Sequence, residues 1–268
     1  MSSLIHPTAV IDPRAELAAG VEVGPYAVIG PDVEIGADCR IGAHVVLDGR
    51  VRMGRGNRLF PGACIGLEPQ DLKYTGDPTG VEIGDDNTIR ECVTVNRATH
   101  GRETTRIGSG NLLMAYSHLG HNCDLGDRIV IANGVAVAGH VVIGDRAVIG
   151  GVLGIHQFVH IGTLAMVGGM SRIERDVPPF CMVEGHPSRV RALNRIGLQR
   201  SGLADLEAGR QLEDLKRVWT LIYRRSPTLA AALEELRAEP LSAAAARLVG
   251  FLEASLGEGR RGPIPGAR

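Results

Sequence analysis

The sequence has few aromatic residues, almost no net charge and no long apolar run. Phe, Trp and Tyr make up only 3% of the 268 residues, and 29 Lys and Arg nearly balance 30 Asp and Glu. A nucleic-acid-binding surface of interleaved basic and aromatic side chains is therefore not expected. Since no stretch of about 18 consecutive apolar residues occurs, we also expect no membrane span.

Cysteine is scarce and irregularly spaced. The five cysteines are odd in number, and no two have the CxxC spacing of a zinc or redox site. This usage excludes a disulfide framework and indicates a reducing compartment. The N-terminal segment MSSLIHPTAV lacks the charged and apolar regions of a secretory signal peptide. We therefore expect a cytoplasmic protein.

What the sequence does have is a period of six. From Ile5 to Ile173, every sixth residue is Ile, Leu, Val or Met, except at Asp71, Asp77 and Gly101. This period fits neither a helix nor an alternating strand, and it is typical of the hexapeptide repeat of a parallel β-helix. Each repeated aliphatic side chain is expected to point inward. Glycine follows many of them, and we expect it at corners where φ is positive.

Two segments interrupt the repeat, and helical periodicity replaces it near the C-terminus. Residues 67–80 and 97–106 carry charged and turn residues, so both are predicted to be loops extruded from corners. The segment Asp176–Phe180 (DVPPF) cannot continue a strand ladder because of its two prolines. Four helices are expected after it, at 189–202, at 203–225, from Ser226 as an N-cap, and beyond Pro240.

These patterns predict a mainly β protein: a left-handed parallel β-helix followed by a C-terminal α-helical domain. The expected boundaries are 1–186 for the β-helix, 187–258 for the helices and 259–268 for a disordered tail. The open end of a solenoid must be covered. The helices could therefore serve as a cap, or as a surface for trimerisation or partner binding.

Several motifs outside the repeat point to one family. They are QDLKY (70–74), SHLGHNC (117–123), GIHQF (154–158) and DVPPF (176–180). In this order and spacing the chain resembles the UDP-N-acetylglucosamine 3-O-acyltransferases of lipid A synthesis, over nearly its whole length. The resemblance implies a homotrimer that transfers a 3-hydroxyacyl chain from an acyl-carrier protein to a UDP-sugar. No cofactor and no metal is implied.

His121 matches the catalytic histidine of that family. Imidazole suits a general base because its ordinary pKa lies near working pH. Counted in coils of three hexapeptides, His121, His140 and His156 fall near the same corner of successive coils, with His118 half a hexapeptide away. We therefore expect a stripe of histidines along one edge.

The resemblance assigns further roles. Gly139 would supply a backbone N–H to the oxyanion. Gly169 matches a position that limits the length of the acyl chain, where glycine would leave the groove open for a long chain. Substrate-binding roles fall on residues of the first loop, the histidine stripe and the first helix, namely Gln70, Asp71, Lys73, Asn96, His118, Gly139, His140, His156, Gln157, Asn194 and Arg200. Between His186 and Gly202 the chain has several arginines and no acidic residue, which would attract an acidic carrier protein.

The chain departs from the family pattern at Asn96, Asn122 and Ile196. Asn96 replaces a histidine, and the other two replace acidic residues. The acceptor therefore stays open between the 3-hydroxyl of the sugar and the amine of its 3-amino analogue. The sequence also leaves open a metal-dependent hydratase of the same fold and a non-catalytic scaffold. The related N-acyltransferases have an extra N-terminal domain, which we do not expect because the repeat begins at Ile5.

Overall fold

The coil of the protein is a three-faced prism of short parallel strands. A computed structural model describes residues 4–267. Leu4 pairs with Glu22, three hexapeptides later, and this register repeats along each face. Within the described residues the three faces contain 11, 9 and 8 strands. The fold is the left-handed parallel β-helix that the period of six predicts.

Each face takes every third strand of the coil. The first face consists of Leu4–Ile5, Glu22–Val23, Arg40–Ile41, Arg58–Leu59, Thr88–Ile89, Leu112–Leu113, Val130–Ile131, Val148–Ile149, Met166–Val167, Cys181–Gly185 and Ser188–Leu193. The second face consists of Val10–Ile11, Val28–Ile29, Val46–Leu47, Cys64–Leu67, Thr94–Asn96, His118–Leu119, Ala136–Val137, Gly154–Ile155 and Arg172–Ile173. The third face consists of Glu16–Leu17, Val33–Ile35, Arg50–Met53, Gly80–Ile83, Thr104–Ile107, Asp124–Leu125, Val142–Ile143 and His160–Ile161.

The repeated aliphatic residues form the core. Leu47, Ile65, Leu119 and Ile149 are each completely buried, whereas Ile5, in the first coil, keeps 47% of its surface exposed. Each fully buried aliphatic side chain stabilises the fold by about 1.5–3 kcal/mol. The hexapeptide period therefore supplies one continuous apolar column, open at its N-terminal end.

Both insertions preserve the period because each adds whole hexapeptides. Met53 pairs with Ile83, five hexapeptides later, so the first insertion adds two to the usual three. Ile83 pairs with Ile107, four hexapeptides later, so the second insertion adds one. Both leave the coil where the second face turns into the third. The two loops therefore emerge one coil apart on the same edge of the prism.

Apart from Gly66, whose φ is +85°, the glycines directly after the repeated aliphatic residues have a different role from the expected one. Gly24 and Gly36 do not have positive φ, and the left-handed corner positions nearby are held by Tyr26, Asp38 and other residues with side chains. A Cβ on Gly24 would lie 2.9 Å from Ala43 N, and one on Gly36 would lie 2.5 Å from Gly54 C. These glycines are needed because the backbone of the next coil passes too close for a side chain.

The C-terminal helices begin later than the sequence indicated. Residues 189–193, expected to be helical, instead belong to the strand Ser188–Leu193, which forms an antiparallel hairpin with Cys181–Gly185. The helical elements are α1 (Arg195–Arg200), a 3₁₀ segment (Leu203–Gly209), α2 (Arg210–Thr220), a π turn (Leu221–Arg225), α3 (Leu229–Arg237) and α4 (Ala243–Ser255). Thr228, not Ser226, caps α3 through its side chain. Within residues 4–267 no helix is long and apolar enough to cross a membrane.

The expectation of a disordered tail is wrong for residues 259–267. Ile264 is only 3% exposed, and its N–H donates to the carbonyl oxygen of Asp176 at 2.8 Å. The N–H of Val190 donates to Pro265 O at 2.9 Å. The tail therefore runs back along the end of the coil, and the glycines and prolines that resembled a linker serve as turns.

A buried carboxylate joins the tail and α4 to the last coil. Asp176 is 4% exposed. Its Oδ1 accepts from His160 N–H at 2.8 Å, and its Oδ2 accepts from Ser255 and Arg260 at 2.6 Å each. Burial and the Arg260 charge lower the pKa of His160, so this imidazole stays neutral near pH 7. The DVPPF segment is thus an anchor as well as a strand breaker.

We expect Arg260→Ala to lower the free energy of unfolding by about 3 kcal/mol, because it leaves a buried carboxylate without its cation. Denaturant unfolding followed by circular dichroism measures the loss. Arg261→Ala is the matched control, since Arg261 is exposed and adjacent. Equal stability of the two variants would show that the ion pair is not what secures the tail.

Candidate active site

Most of the predicted site residues lie along one edge of the prism, between the second and third faces. We call this the histidine edge. It comprises the two loops (residues 68–79 and 97–103) and the corners at residues 120–123, 138–141 and 156–159. Neighbouring coils bond directly there, since His140 N–H donates to His121 O at 2.9 Å and Phe158 N–H donates to Gly139 O at 3.2 Å. Residues far apart in sequence therefore come within one strand spacing of each other.

His121 is held by hydrogen bonds at one ring nitrogen and faces a carboxylate with the other. Its Nδ1 lies 2.8 Å from Thr99 Oγ1 and 2.9 Å from Asn122 Oδ1. Asn122 Oδ1 also accepts from Thr99 N–H at 3.1 Å, so the amide oxygen is the atom that faces the ring. Nδ1 therefore carries the proton, and Nε2, 3.7 Å from Asp71 Oδ2, is the basic nitrogen.

Gly139 packs directly against the imidazole of His121. A Cβ at this position would lie 2.5 Å from both Cε1 and Nε2 of the ring. A side chain at this position would therefore displace the His121 ring, whatever the part of Gly139 in the chemistry. Within residues 4–267, the N–H of Gly139 donates to no protein acceptor. The residue that packs against the His121 ring thus carries a backbone donor without a protein partner among these residues.

Two further histidines border His121, and both favour the neutral form. Burial lowers the pKa of His118, and the nearby His121 lowers it further. The pKa of His140 is lowered in the same way. His118 Nδ1 lies 2.7 Å from Thr94 Oγ1. The His140 ring meets His121 edge-on at 5.1 Å and stacks on Phe158 at 4.7 Å. Both rings are therefore held in place as neutral polar side chains beside His121.

Asp71 reaches the site from the first loop and remains ionised. The backbone N–H of Lys73 donates to its Oδ1 at 3.0 Å. This hydrogen bond lowers the pKa of Asp71, and the charge of His121 adds to the effect. Asp71 therefore places a negative charge 3.7 Å from His121 Nε2. Gln70 and Lys73, on either side, are exposed on the same loop.

Asn96 anchors the first loop to the coil. It is 5% exposed, and its Nδ2 donates to Glu68 O at 2.8 Å. Its Oδ1 is buried and has no partner among the described residues. Arg97, which the sequence did not single out, binds Gly66 O at 3.0 Å and the hydroxyl of Tyr74 at 3.0 Å. Together the two residues secure the loop that delivers Asp71.

Not all of the predicted residues lie on this edge. His156 and Gln157 do, at the corner above His140, and His156 Nδ1 lies 3.0 Å from Gln157 O. Gly169 lies on the edge between the first and second faces. Asn194 lies beside the third edge, where its Nδ2 donates to Leu164 O at 2.8 Å and its Oδ1 caps α1. Arg200 is exposed at the end of the same helix.

Thr99, Glu103 and Phe158 belong to the site but were missed from the sequence. Thr99 touches His121, Phe158 stacks on His140, and Glu103 accepts from Asn122 Nδ2 at 2.6 Å. Thr99 and Glu103 come from an insertion whose path the hexapeptide count does not give. Phe158 could have been found from the motif GIHQF, where it follows Gln157. Within residues 4–267, no group of three or more His, Cys, Asp or Glu side chains is arranged to hold a metal ion.

Comparison with known proteins gives consistent matches along the chain. Residues 176–264 match the family described as UDP-N-acetylglucosamine O-acyltransferase, domain 2. Residues 16–49 and 104–139 match the bacterial transferase hexapeptide family.

Full-length relatives agree with these matches. The acyl-[acyl-carrier-protein]–UDP-N-acetylglucosamine O-acyltransferase of Synechocystis sp. is 56% identical over 100% of this chain and 96% of its own length. That of Rippkaea orientalis is 60% identical over 99% and 95%. The solved structure of LpxA from Acinetobacter baumannii is 41% identical, covers 97% of this chain and 99% of its own, and superposes with a TM-score of 0.89. The chain, which carries His121 and its neighbours on this fold, therefore belongs to the UDP-N-acetylglucosamine O-acyltransferase family.

Proposed function

We propose that this protein transfers a 3-hydroxyacyl chain from acyl-carrier protein to the 3-hydroxyl of UDP-N-acetylglucosamine, the first step of lipid A synthesis. The observation that carries the proposal is the environment of His121, whose ring packs against the backbone of Gly139 and whose Nε2 lies 3.7 Å from the carboxylate of Asp71. The names of the full-length relatives give the same reaction.

In the proposed reaction His121 Nε2 removes the proton of the sugar hydroxyl. The oxygen attacks the thioester carbonyl carbon, a C–O bond forms and the C–S bond breaks. The proton held on His121 then passes to the departing thiolate, so charge and protons balance. A general base of this type contributes about 10²–10⁴-fold to the rate. Asp71 would stabilise the imidazolium between the two proton transfers.

The developing oxyanion needs a hydrogen-bond donor that is already in position before the reaction begins. The N–H of Gly139 is such a donor, since it adjoins the His121 ring and has no protein acceptor among residues 4–267. One pre-placed backbone donor contributes about 3–4 kcal/mol to transition-state binding. His118 and His140, neutral because of their lowered pKa, can hydrogen-bond to sugar hydroxyls without adding charge.

Lys73 and Gln70 are assigned to the UDP-sugar. Lys73 supplies a cation for the diphosphate on the loop that also carries Asp71. Asn96 is assigned an indirect role, because its amide supports the loop backbone and is 5% exposed. This support makes Asn96 weak evidence for the amine acceptor. The relatives at 56% and 60% identity, both named O-acyltransferases, favour the hydroxyl.

A homotrimer explains why the assigned residues occupy three edges of one chain. A face of about six residues separates neighbouring edges by roughly 17 Å. Gly169, Asn194 and Arg200 therefore cannot join His121 within one coil. In a threefold assembly the histidine edge of one chain faces another chain, so His156, Gln157, Asn194 and Arg200 can line one shared cleft. The arginines between 189 and 200 would then receive the acidic carrier protein.

The function is tested by a paired assay with a long-chain 3-hydroxyacyl-carrier protein as donor. One reaction contains UDP-N-acetylglucosamine and the other its 3-amino analogue. We expect turnover of the hydroxyl sugar with kcat/KM at least equal to that of the amine, measured by mass spectrometry of the product. Turnover of the amine alone would make the chain an amide-forming enzyme, and no turnover of either would contradict the transferase assignment.

We expect His121→Ala to lower kcat by about a thousandfold, since it removes the only assigned base. The assay uses saturating sugar and donor, and circular dichroism verifies folding. His44→Ala is the control, because His44 is a corner histidine on another edge, where it stacks on Tyr26. Activity of His121→Ala within tenfold of the unsubstituted protein would rule out His121 as the base.

Gly169 is proposed to leave room for a long acyl chain. Its φ is not positive, and a Cβ there would lie 3.2 Å from Gly151 O, a tight contact that a small shift of the neighbouring backbone would relieve. We expect Gly169→Met to cut kcat/KM for the long-chain donor at least tenfold while sparing a donor about four methylenes shorter. The ratio of kcat/KM for the two donors corrects for any general loss of activity caused by the substitution. An unchanged ratio would remove Gly169 from the acyl groove.

A further inference from the structure

Asn122 links His121 to a carboxylate that has no role in the reaction as proposed above. Its Oδ1 lies 2.9 Å from His121 Nδ1. Its Nδ2 donates to Glu103 Oε2 at 2.6 Å. An amide group has one accepting end and one donating end, so each partner here meets the end that suits it. The three side chains form a chain of polar contacts from the second loop to the basic imidazole.

Glu103 is held firmly enough to act on Asn122. Its N–H donates to His100 O at 3.1 Å, and its carbonyl oxygen accepts from Gly80 N–H at 3.1 Å. The loop that carries it is also tied to the first loop, since Gly101 N–H donates to Asp77 Oδ2 at 2.6 Å. The Glu103 backbone is therefore fixed to a strand of the third face, although its side chain is exposed.

We propose that Glu103 is a positioning residue that keeps the Asn122 amide turned with its oxygen toward His121. This inference depends on the proposed function, in which His121 is the base. If the amide turned over, Nδ2 would face His121 Nδ1. That nitrogen would then have to be unprotonated, and the ring proton would move to Nε2. A ring protonated at Nε2 and not at Nδ1 cannot take the proton of the acceptor.

The pairing explains how an amide, and not an acidic residue, can serve at the position directly after His121, where the side chain faces Nδ1. A carboxylate at position 122 would accept from His121 Nδ1 in either orientation of the side chain. An amide accepts in only one, so it needs something to hold it. Thr99 N–H, 3.1 Å from Asn122 Oδ1, supplies part of this constraint from the other side. Loss of Glu103 should therefore lower the activity without abolishing it.

The test compares Glu103→Ala, Glu103→Gln and the exchange Asn122→Asp with Glu103→Gln. Gln at 103 can still accept from Asn122 Nδ2, whereas Ala cannot. Asn122→Asp alone places two carboxylates in contact. In the exchange variant the amide of residue 103 donates to the carboxylate of residue 122, which restores the bond with its polarity reversed.

We expect Glu103→Ala to lower kcat about tenfold, with KM for both substrates within twofold, because tautomer affects the proton transfer and not binding. Glu103→Gln should recover most of that loss. Asp at position 122 accepts from His121 in either orientation, so the exchange variant should be at least as active as Asn122→Asp alone. Equal losses in Glu103→Ala and Glu103→Gln, or a loss in the exchange variant relative to Asn122→Asp alone, would overturn the proposal.

A second readout does not depend on activity. ¹⁵N NMR of the full-length protein labelled at histidine reports which ring nitrogen of His121 is protonated, and the spectrum of His121→Ala identifies its signal. We expect the Nδ1–H form in the unsubstituted protein and a mixture of both tautomers in Glu103→Ala. The same tautomer in both would overturn the positioning role. An inactive unsubstituted protein whose tautomer nevertheless shifts in Glu103→Ala would instead count against the proposed function.

Discussion

The structure depends on one constraint, the direct hydrogen bonding of each coil to the next at the spacing of neighbouring strands. Every corner must then place its backbone against the backbone above and below, about 4.8 Å away. The repeated aliphatic side chain fills the inside of the coil, and the glycine after it lets the backbones of neighbouring coils approach each other at the corner. Gly24 and Gly36 show the second demand, since a Cβ on either would collide with the following coil.

The same constraint builds the site. Because the coils stack in a fixed register, residues three hexapeptides apart on one edge are neighbours in space. His121, Gly139 and His140 are adjacent for this reason alone, and a side chain on Gly139 would displace the imidazole of His121. The loops need no stability of their own beyond contacts such as those of Arg97. Rigid coils supply the geometry, and two inserted loops supply Asp71, Thr99 and Glu103.

Much of this could be predicted from the sequence. The period of six predicts the fold and the buried column, and counting by coils of three hexapeptides places three histidines on one edge. Three features could not be predicted. Residues 188–193 have a mixed apolar pattern that also suits a helix, and only pairing with Cys181–Gly185 decides for a strand. The tail resembles a linker in composition, yet buries Ile264. The contacts of loop residues depend on loop paths, which periodicity does not describe.

Asn122 shows why a departure from a family pattern cannot be interpreted by position alone. Compared with an acidic side chain at this position, the amide of Asn122 lacks a negative charge that would stabilise imidazolium. In the folded chain a carboxylate is still present, at Glu103, one side chain farther out. Another, Asp71, stands on the opposite side of the ring. The amide therefore changes where charge lies and how the ring is oriented, while the site keeps its acidic surroundings. Glu103 comes from an insertion of one hexapeptide, so the side chain that Asn122 contacts belongs to a loop and not to the repeating coil.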